Sequence, residues 1–215
     1  MRVDIFFDPI CPWCFIGKHR FERALAERPQ IPIERRWQPF QLNPGMPRAG
    51  MDRRGYAAAK FGGQDRARRI THLIMETAAR DGLEIRLDEV DRTPNTLDAH
   101  RLVRLADAEG LDPETAIDAL FRAYFQELRD IGDRAELIAI AEEIGLEGAA
   151  VGNLLDSDRD TDAVRRTDAL ARKAGVQGVP CYVFDGRYAL AGAQEPNAFM
   201  PLFDLAESGL EASPV

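Results

Sequence analysis

Cysteine is scarce in this chain, with three residues in 215. That is too few for the disulfide frameworks that hold small extracellular domains together. Histidine is equally scarce: His19, His72 and His100 are scattered, and no second paired motif supplies the four ligands of a structural zinc ion, so no metal is expected. No apolar stretch reaches the ~20 residues needed to span a bilayer. The opening run, Met1 to Asp8, is cut by Asp4 and Asp8 and is too short for the apolar segment of a secretory leader. These absences together predict a cytoplasmic protein without a membrane partner. Positive charge is lacking as well. A net charge of −8 argues against nucleic acid as the main partner, because phosphate binding needs a basic face. The local cluster Arg66, Arg68 and Arg69 reads as a solvated helix face. Internal repeats and low-complexity tracts are also missing.

What is present is ordinary globular material, 45% hydrophobic and 30% charged. A chain this long hides roughly 70% of its unfolded surface and needs no staples. Arg2 to Phe7 is β-branched and aromatic and reads as a buried strand, broken by Asp8-Pro9. From Cys11 the apolar spacing becomes helical through Leu25 and ends before Pro29. Ile31 to Phe40 reads as a second strand, with Trp37 in the core, so a right-handed crossover makes the two strands parallel. After the Pro/Gly-rich segment Gln41 to Gly50, helices are expected over Tyr56–Gly82, Thr96–Glu109, Pro113–Asp130, Arg134–Ile144 and Ala149–Leu155, with almost no strand signal between them. The acidic run Asp156 to Asp162 reads as a solvated turn and helix start. Thr161 to Lys173 is a further helix ending at Gly175. Pro180 to Phe184 and Arg187 to Ala191 flank Asp185-Gly186, the strongest short hairpin signal, and Pro196 to Ser208 closes the chain as a helix. The expected architecture is an α/β fold formed by residues 1–45 and 160–215, interrupted by an all-helical insertion of residues 46–159.

The chemistry concentrates in Cys11-Pro12-Trp13-Cys14, where the first strand gives way to the first helix. First-turn N–H groups lack intrahelical partners, and with the helix dipole they favour a thiolate at that point. The thiolate is the species that attacks a disulfide. Pro12 suits the first helical position, where no N–H is needed. Cys14 follows almost one turn later. Cys11 is therefore expected to be the exposed attacking thiol and Cys14 the more buried resolving thiol. Gly178-Val179-Pro180 is the second signal: a proline heading a strand can be cis, and an ordinary trans proline fits the same place. His19 is read as a surface residue and His100 as a packed helix residue.

These motifs, in this order, resemble the thioredoxin fold. The large helical insertion resembles the DsbA family. Asp8 to Lys18, Phe40-Gln41-Leu42-Asn43-Pro44, Asn95 to Arg101 and Gly178-Val179-Pro180 resemble its FrnE-like branch, which is related to 2-hydroxychromene-2-carboxylate isomerases and kappa-class glutathione transferases. The resemblance implies that Pro180 is cis and faces the cysteine pair. It implies that the Val179 backbone holds an extended substrate or glutathione by strand addition. Pro12 and Trp13 would flank that substrate, and the segment from Asn95 would wall it. The isomerases and kappa transferases usually carry serine in place of Cys11 and lack the second cysteine, so the presence of both here favours disulfide exchange. Trp13 brings no charge to the motif, which predicts a couple less oxidising than DsbA at about −120 mV. Cys181, directly after the proline, reads as a small buried residue, with a third reactive thiol as the sharper alternative.

The expected function is therefore thiol–disulfide oxidoreduction without a bound organic cofactor, in a monomer or homodimer. Its partners would be thiol- or disulfide-containing polypeptides, with glutathione as a candidate reductant or ligand. The rivals are a glutathione-dependent isomerase or transferase, and a non-enzymatic polypeptide-binding module.

Overall fold

The computed structural model describes residues 1–207. Strand β1 (Arg2–Phe7) alternates, and Val3, Ile5 and Phe7 are buried. Helix α1 (Pro12–Ala26) follows after Asp8-Pro9 and has proline in its first turn. Strand β2 (Glu34–Pro39) runs parallel to β1, with Trp37 opposite Ile5. It starts later than Ile31 because the Ile31 N–H is spent on the Arg28 carbonyl (3.1 Å), closing the turn after α1, and Pro32 has no N–H to give.

The chain then leaves the sheet. A two-stranded ladder of β3 (Met51–Asp52) and β4 (Arg92–Thr93) brackets α2 (Arg53–Phe61) and α3 (Gln64–Arg80). This ladder corrects the expectation of a strand-free insertion, since two-residue strands carry no readable period. The single helix expected over Tyr56–Gly82 is two, because Gly62 and Gly63 take φ of 77° and 118° between them. Helices α4 (Leu97–Ala108), α5 (Pro113–Phe125), α6 (Arg134–Glu143), α7 (Gly148–Leu155) and α8 (Thr161–Lys173) complete the run. Helix α5 stops short of Asp130, where the Arg129 N–H turns back to the Ala123 carbonyl (2.8 Å) and Leu128 takes a φ of 61°.

The fully buried Arg101 of α4 ties this region to the start of α8. Its guanidinium donates to the carbonyls of Leu154 (2.5 Å), Ser157 (2.6 Å) and Arg159 (2.7 Å), and to Asp98 (2.6 Å).

Strands β5 (Cys181–Phe184) and β6 (Tyr188–Ala191) form the hairpin about Asp185-Gly186, whose φ of 48° and 69° fit a tight turn with both central residues left-handed. A 3-10 turn (Pro196–Phe199) leads into α9 (Met200–Glu207); the expected end of this helix at Ser208 lies outside the described residues. The sheet order is β2-β1-β5-β6, parallel between β1 and β2 and antiparallel elsewhere. Among the described residues no helix is long and apolar enough to cross a membrane.

Two hydrophobic clusters result. One packs Val3, Ile5, Phe21, Tyr182, Phe184, Phe199 and Phe203 between the sheet, α1 and α9. The other gathers Phe7 at the end of β1 with Ile16 of α1 and apolar residues of α3 to α7, and it contains both Cys11 and Cys14.

Candidate active site

Cys11 is the N-cap of α1, with extended backbone (φ −86°, ψ 110°). Its own N–H reaches back to the Asp8 carbonyl (2.9 Å), while its carbonyl accepts from Cys14 N–H (2.9 Å) and Phe15 N–H (3.3 Å). This turn places the two thiols one helical step apart, in contact through a side-chain hydrogen bond and not bonded covalently. The expectation that Cys11 is exposed is corrected: it is 3% accessible, against 1% for Cys14. The cause lies far along the chain, where the Val179 carbonyl accepts from the Cys11 thiol at 3.4 Å and Val179 and Leu42 pack against the same cluster. Burial pushes the Cys14 thiol well above its ordinary range, reinforced by its hydrogen bond to Cys11 and the Cys11 charge; a backbone hydrogen bond from Asp8 acts the other way.

The Val179–Pro180 peptide is cis, the form the resemblance implies. Gly17 lets α1 approach this segment. A Cβ there would lie 2.8 Å from Pro180 Cγ and 2.8 Å from the Tyr182 hydroxyl, closer than real contacts allow. Pro12 and Trp13 are half-buried, and Trp13 packs against the cysteine-bearing cluster. Asn95 is engaged otherwise than in an open wall: its Nδ2 donates to the Met46 carbonyl (2.6 Å) and its Oδ1 accepts from the Leu97 N–H (2.9 Å). Cys181 is buried and free, and burial raises its thiol. It pairs with Phe6 of β1, one residue before Tyr182, whose side chain joins the other cluster. His19 is half-buried instead of surface, with its Nε2 3.1 Å from the Asp81 carbonyl. His100 is buried against Phe7 (ring centroids 5.0 Å apart), hydrogen-bonded to the Phe40 backbone, and pushed down to about 4 by burial. Trp37 donates to Glu114 at 2.9 Å. Among the described residues no group of three or more His, Cys, Asp or Glu side chains is placed to hold a metal ion.

Asp8 entered the sequence reading as a strand breaker and as the first residue of a family motif, with no role of its own in the site. Its carboxylate is 0% accessible and accepts from Ile10 N–H (3.3 Å), Leu42 N–H (2.6 Å) and the Thr96 side chain. Burial pushes it up to about 7 against the lowering effect of those hydrogen bonds and of the Lys60 charge. Lys60 is exposed on α2, where it donates to the Tyr56 hydroxyl (2.7 Å), itself bonded to Asn43. A carboxyl beside a cysteine pair, at the end of an apolar strand, was the available signal.

The fold matches known proteins closely. Residues 2–202 fit the model of the DSBA-like thioredoxin domain. A probable DsbA oxidoreductase from Streptomyces coelicolor is 33% identical, with a TM-score of 0.90 over 100% of this chain and 92% of that one. The Bacillus subtilis protein YwbO is 29% identical over 93% of this chain and 94% of its own length. The cytosolic disulfide reductase DsbM from Pseudomonas aeruginosa, solved with GSH, has a TM-score of 0.66 at 18% identity, over 98% of both chains, a likeness of fold. With its thioredoxin sheet, its helical insertion and its cis proline opposite a helix-capping cysteine, the chain belongs to the DSBA-like thioredoxin domain family.

Proposed function

We propose that this chain is a thiol–disulfide oxidoreductase working through Cys11 and Cys14. The observation that carries the reading is a pair of free thiols in hydrogen-bond contact at a helix N-terminus, the first of them donating to the carbonyl of Val179, whose peptide bond to Pro180 is cis. Cys11 attacks a substrate disulfide and forms a mixed disulfide; Cys14 then displaces the substrate and closes the Cys11–Cys14 bond. The burial of Cys11 suits an extended or small thiol partner. The scheme needs no organic cofactor. Glutathione is the reductant we assign, a choice supported by the DsbM structure with GSH and suited to a cytoplasmic setting. Cys181 takes no step in it.

The test is exchange with a mixed disulfide of glutathione and a small thiol. Cys11→Ser should abolish turnover, and Cys14→Ser should lower it about tenfold or more while accumulating the adduct on Cys11. Exchange that is undiminished in Cys11→Ser overturns the oxidoreductase reading, and exchange that is undiminished in Cys14→Ser, with no adduct accumulating, overturns the role of Cys14 as resolving thiol.

A further inference from the structure

Strand β2 is an edge of the sheet, and among the described residues its outer side meets no other strand. The Glu34 N–H donates to the Met1 carbonyl (2.9 Å) and the Phe40 N–H to the Phe7 carbonyl (3.0 Å), so the even-numbered residues of β2 bond to β1. In a parallel ladder the alternate residues turn their N–H and carbonyl groups the other way. Those groups of Arg35 and Trp37, and the Pro39 carbonyl, therefore face outward. A groove of about 590 Å³ runs along β2 from Ile33 to Pro39. The insertion lines it with one face of α4 (His100, Val103, Arg104 and Asp107, at helical spacing) and with Asp112 to Glu114 at the start of α5.

Two kinds of unmet group face this groove. His100 is 1% accessible, and its Nε2 has no hydrogen-bond partner. The bond to the Phe40 backbone is therefore made by Nδ1–H, and burial keeps the ring neutral, so Nε2 is a bare acceptor. A buried acceptor left without a donor is rare, and here it lines an opening through which a donor can arrive. The other unmet group is charge. The three arginines that line the groove are each paired: Arg35 with Glu114 (2.9 Å), Arg36 with Glu34 (2.7 Å) and Arg104 with Asp160 (3.0 Å). No ion pair among the described residues involves Asp107 or Asp112; Asp112 only caps α5, accepting from the Glu114 N–H (3.0 Å). The uncommitted charge is acidic.

We propose that this groove docks an extended basic polypeptide segment, which pairs its backbone with the open edge of β2, gives a donor to His100 Nε2 and sets lysine or arginine side chains against Asp107 and Asp112. Each observation narrows the occupant. A free amine would meet the carboxylates and His100 but leave the N–H groups of Arg35 and Trp37 unanswered. An acidic segment would meet like charge at Asp107 and Asp112. The β2 strand of a second copy carries its own α4 wall beside its edge, so it cannot enter; the occupant must be free on both sides. Pro39 and the charged side chains of β2 guard this edge against indiscriminate pairing. The site lies across β1 from β5 and the cis Pro180 that precedes it, and uses neither Cys11 nor Cys14, so it stands apart from the thiol chemistry proposed above.

The probe is a dye-labelled hexapeptide with blocked ends, alternating valine and lysine, titrated into the full chain and followed by fluorescence anisotropy. At about 3.3 Å per residue, six residues match the length of β2. The peptide should bind, and its affinity should fall about tenfold or more when every backbone amide is N-methylated, since the ladder is then lost. Replacing its lysines with glutamate should abolish binding. Arg35→Pro removes one outward N–H and leaves the bonds to β1 intact, so it should weaken binding well beyond Arg35→Met, which loses only the side chain. Asp107→Asn, an exposed change, should weaken it about two- to fivefold. The nitrogen-15 resonance of His100 Nε2 should move on peptide addition. No binding up to about 1 mM peptide, equal binding of the N-methylated or glutamate peptide, or an unmoved His100 resonance overturns the proposal. So does spermidine that displaces the peptide at matched charge, which would make the groove a site for free cations. Should Arg35→Pro not fold, the N-methylated peptide still decides.

Discussion

The cluster beneath the sheet is made of rings in contact: Phe21 lies 5.1 Å from both Tyr182 and Phe199, and Phe203 packs on all three phenylalanine neighbours Phe21, Phe184 and Phe199. The cluster built with the insertion also has its rings, with Phe15 stacked on Phe121 at 5.1 Å, but it encloses Cys11 and Cys14 and abuts the buried Asp8 and His100. The first is an inert scaffold that fixes where β1 and α1 stand. The second is an apolar interior with titratable groups in it, where charge changes are expensive and proton positions matter. The insertion's helices supply the low-dielectric wall around the two thiols.

This contrast can be attacked first through its polar supports. Arg101→Met leaves three carbonyls and Asp98 without their donor, and should cost about 3–5 kcal/mol in urea unfolding. Phe121→Ala and Phe203→Ala should each cost about 3–5 kcal/mol by the same measurement, since both rings are fully buried. They should part company in thiol alkylation under native conditions. Opening the Phe121 wall should quicken Cys11 and Cys14 labelling about tenfold beyond what Phe203→Ala does; equal rates would mean that the two clusters do not divide the labour.

The next effect is in pH. Asp8 holds its proton more tightly folded, near 7, than unfolded, near 3.8, so its contribution to stability is full below about pH 4 and is lost as pH rises through 7. His100 holds its proton less tightly folded, near 4, than unfolded, near 6.5, so its contribution is full above about 6.5 and is lost as pH falls through 4. At 1.4 kcal/mol per unit, these are opposing changes of about 4 and about 3 kcal/mol. The two should largely cancel between pH 4 and 6.5. Asp8→Asn should uncover a stability that rises with pH over that window, and His100→Gln one that falls. Parallel curves for the unmodified protein and both variants would show that neither group titrates as described. The smallest effect is at Gly17. Gly17→Ala should cost about 1–3 kcal/mol, as overpacking does, and should slow any exchange at Cys11 by shifting the Val179–Pro180 segment whose carbonyl meets that thiol.

Much of this was legible in the residues. Asp185-Gly186 marked the hairpin because a tight turn needs its own chemistry, and the β-branched and aromatic run from Arg2 to Phe7 marked a buried strand. That Cys11 and Cys14 lie together could be read because the two are almost one helical turn apart in the sequence. What could not be read was set by contacts between distant segments. Periodicity shows which face of a helix is apolar but not which of two interiors it joins, so the separate clusters were invisible. Cys11 was expected in the open, as helix N-termini generally are; the carbonyl that covers it comes from Val179. Asp8 read as a breaker because nothing nearby in sequence announces Leu42 and Thr96 as its donors. The pair Gly62-Gly63 was overridden by apolar spacing that continues on both sides of it.

Arg101 sits among carbonyl oxygens and one carboxylate much as a bound calcium ion would, but the cation is supplied by the chain itself. The corner from Leu154 to Arg159, where the polypeptide returns from the insertion to α8, is therefore organised by an internal ion that no chelator can extract and no shortage of metal can leave empty. Those carbonyls have their donor only with α4 in place, which ties the return of the chain to its sheet to the helices that surround the thiols.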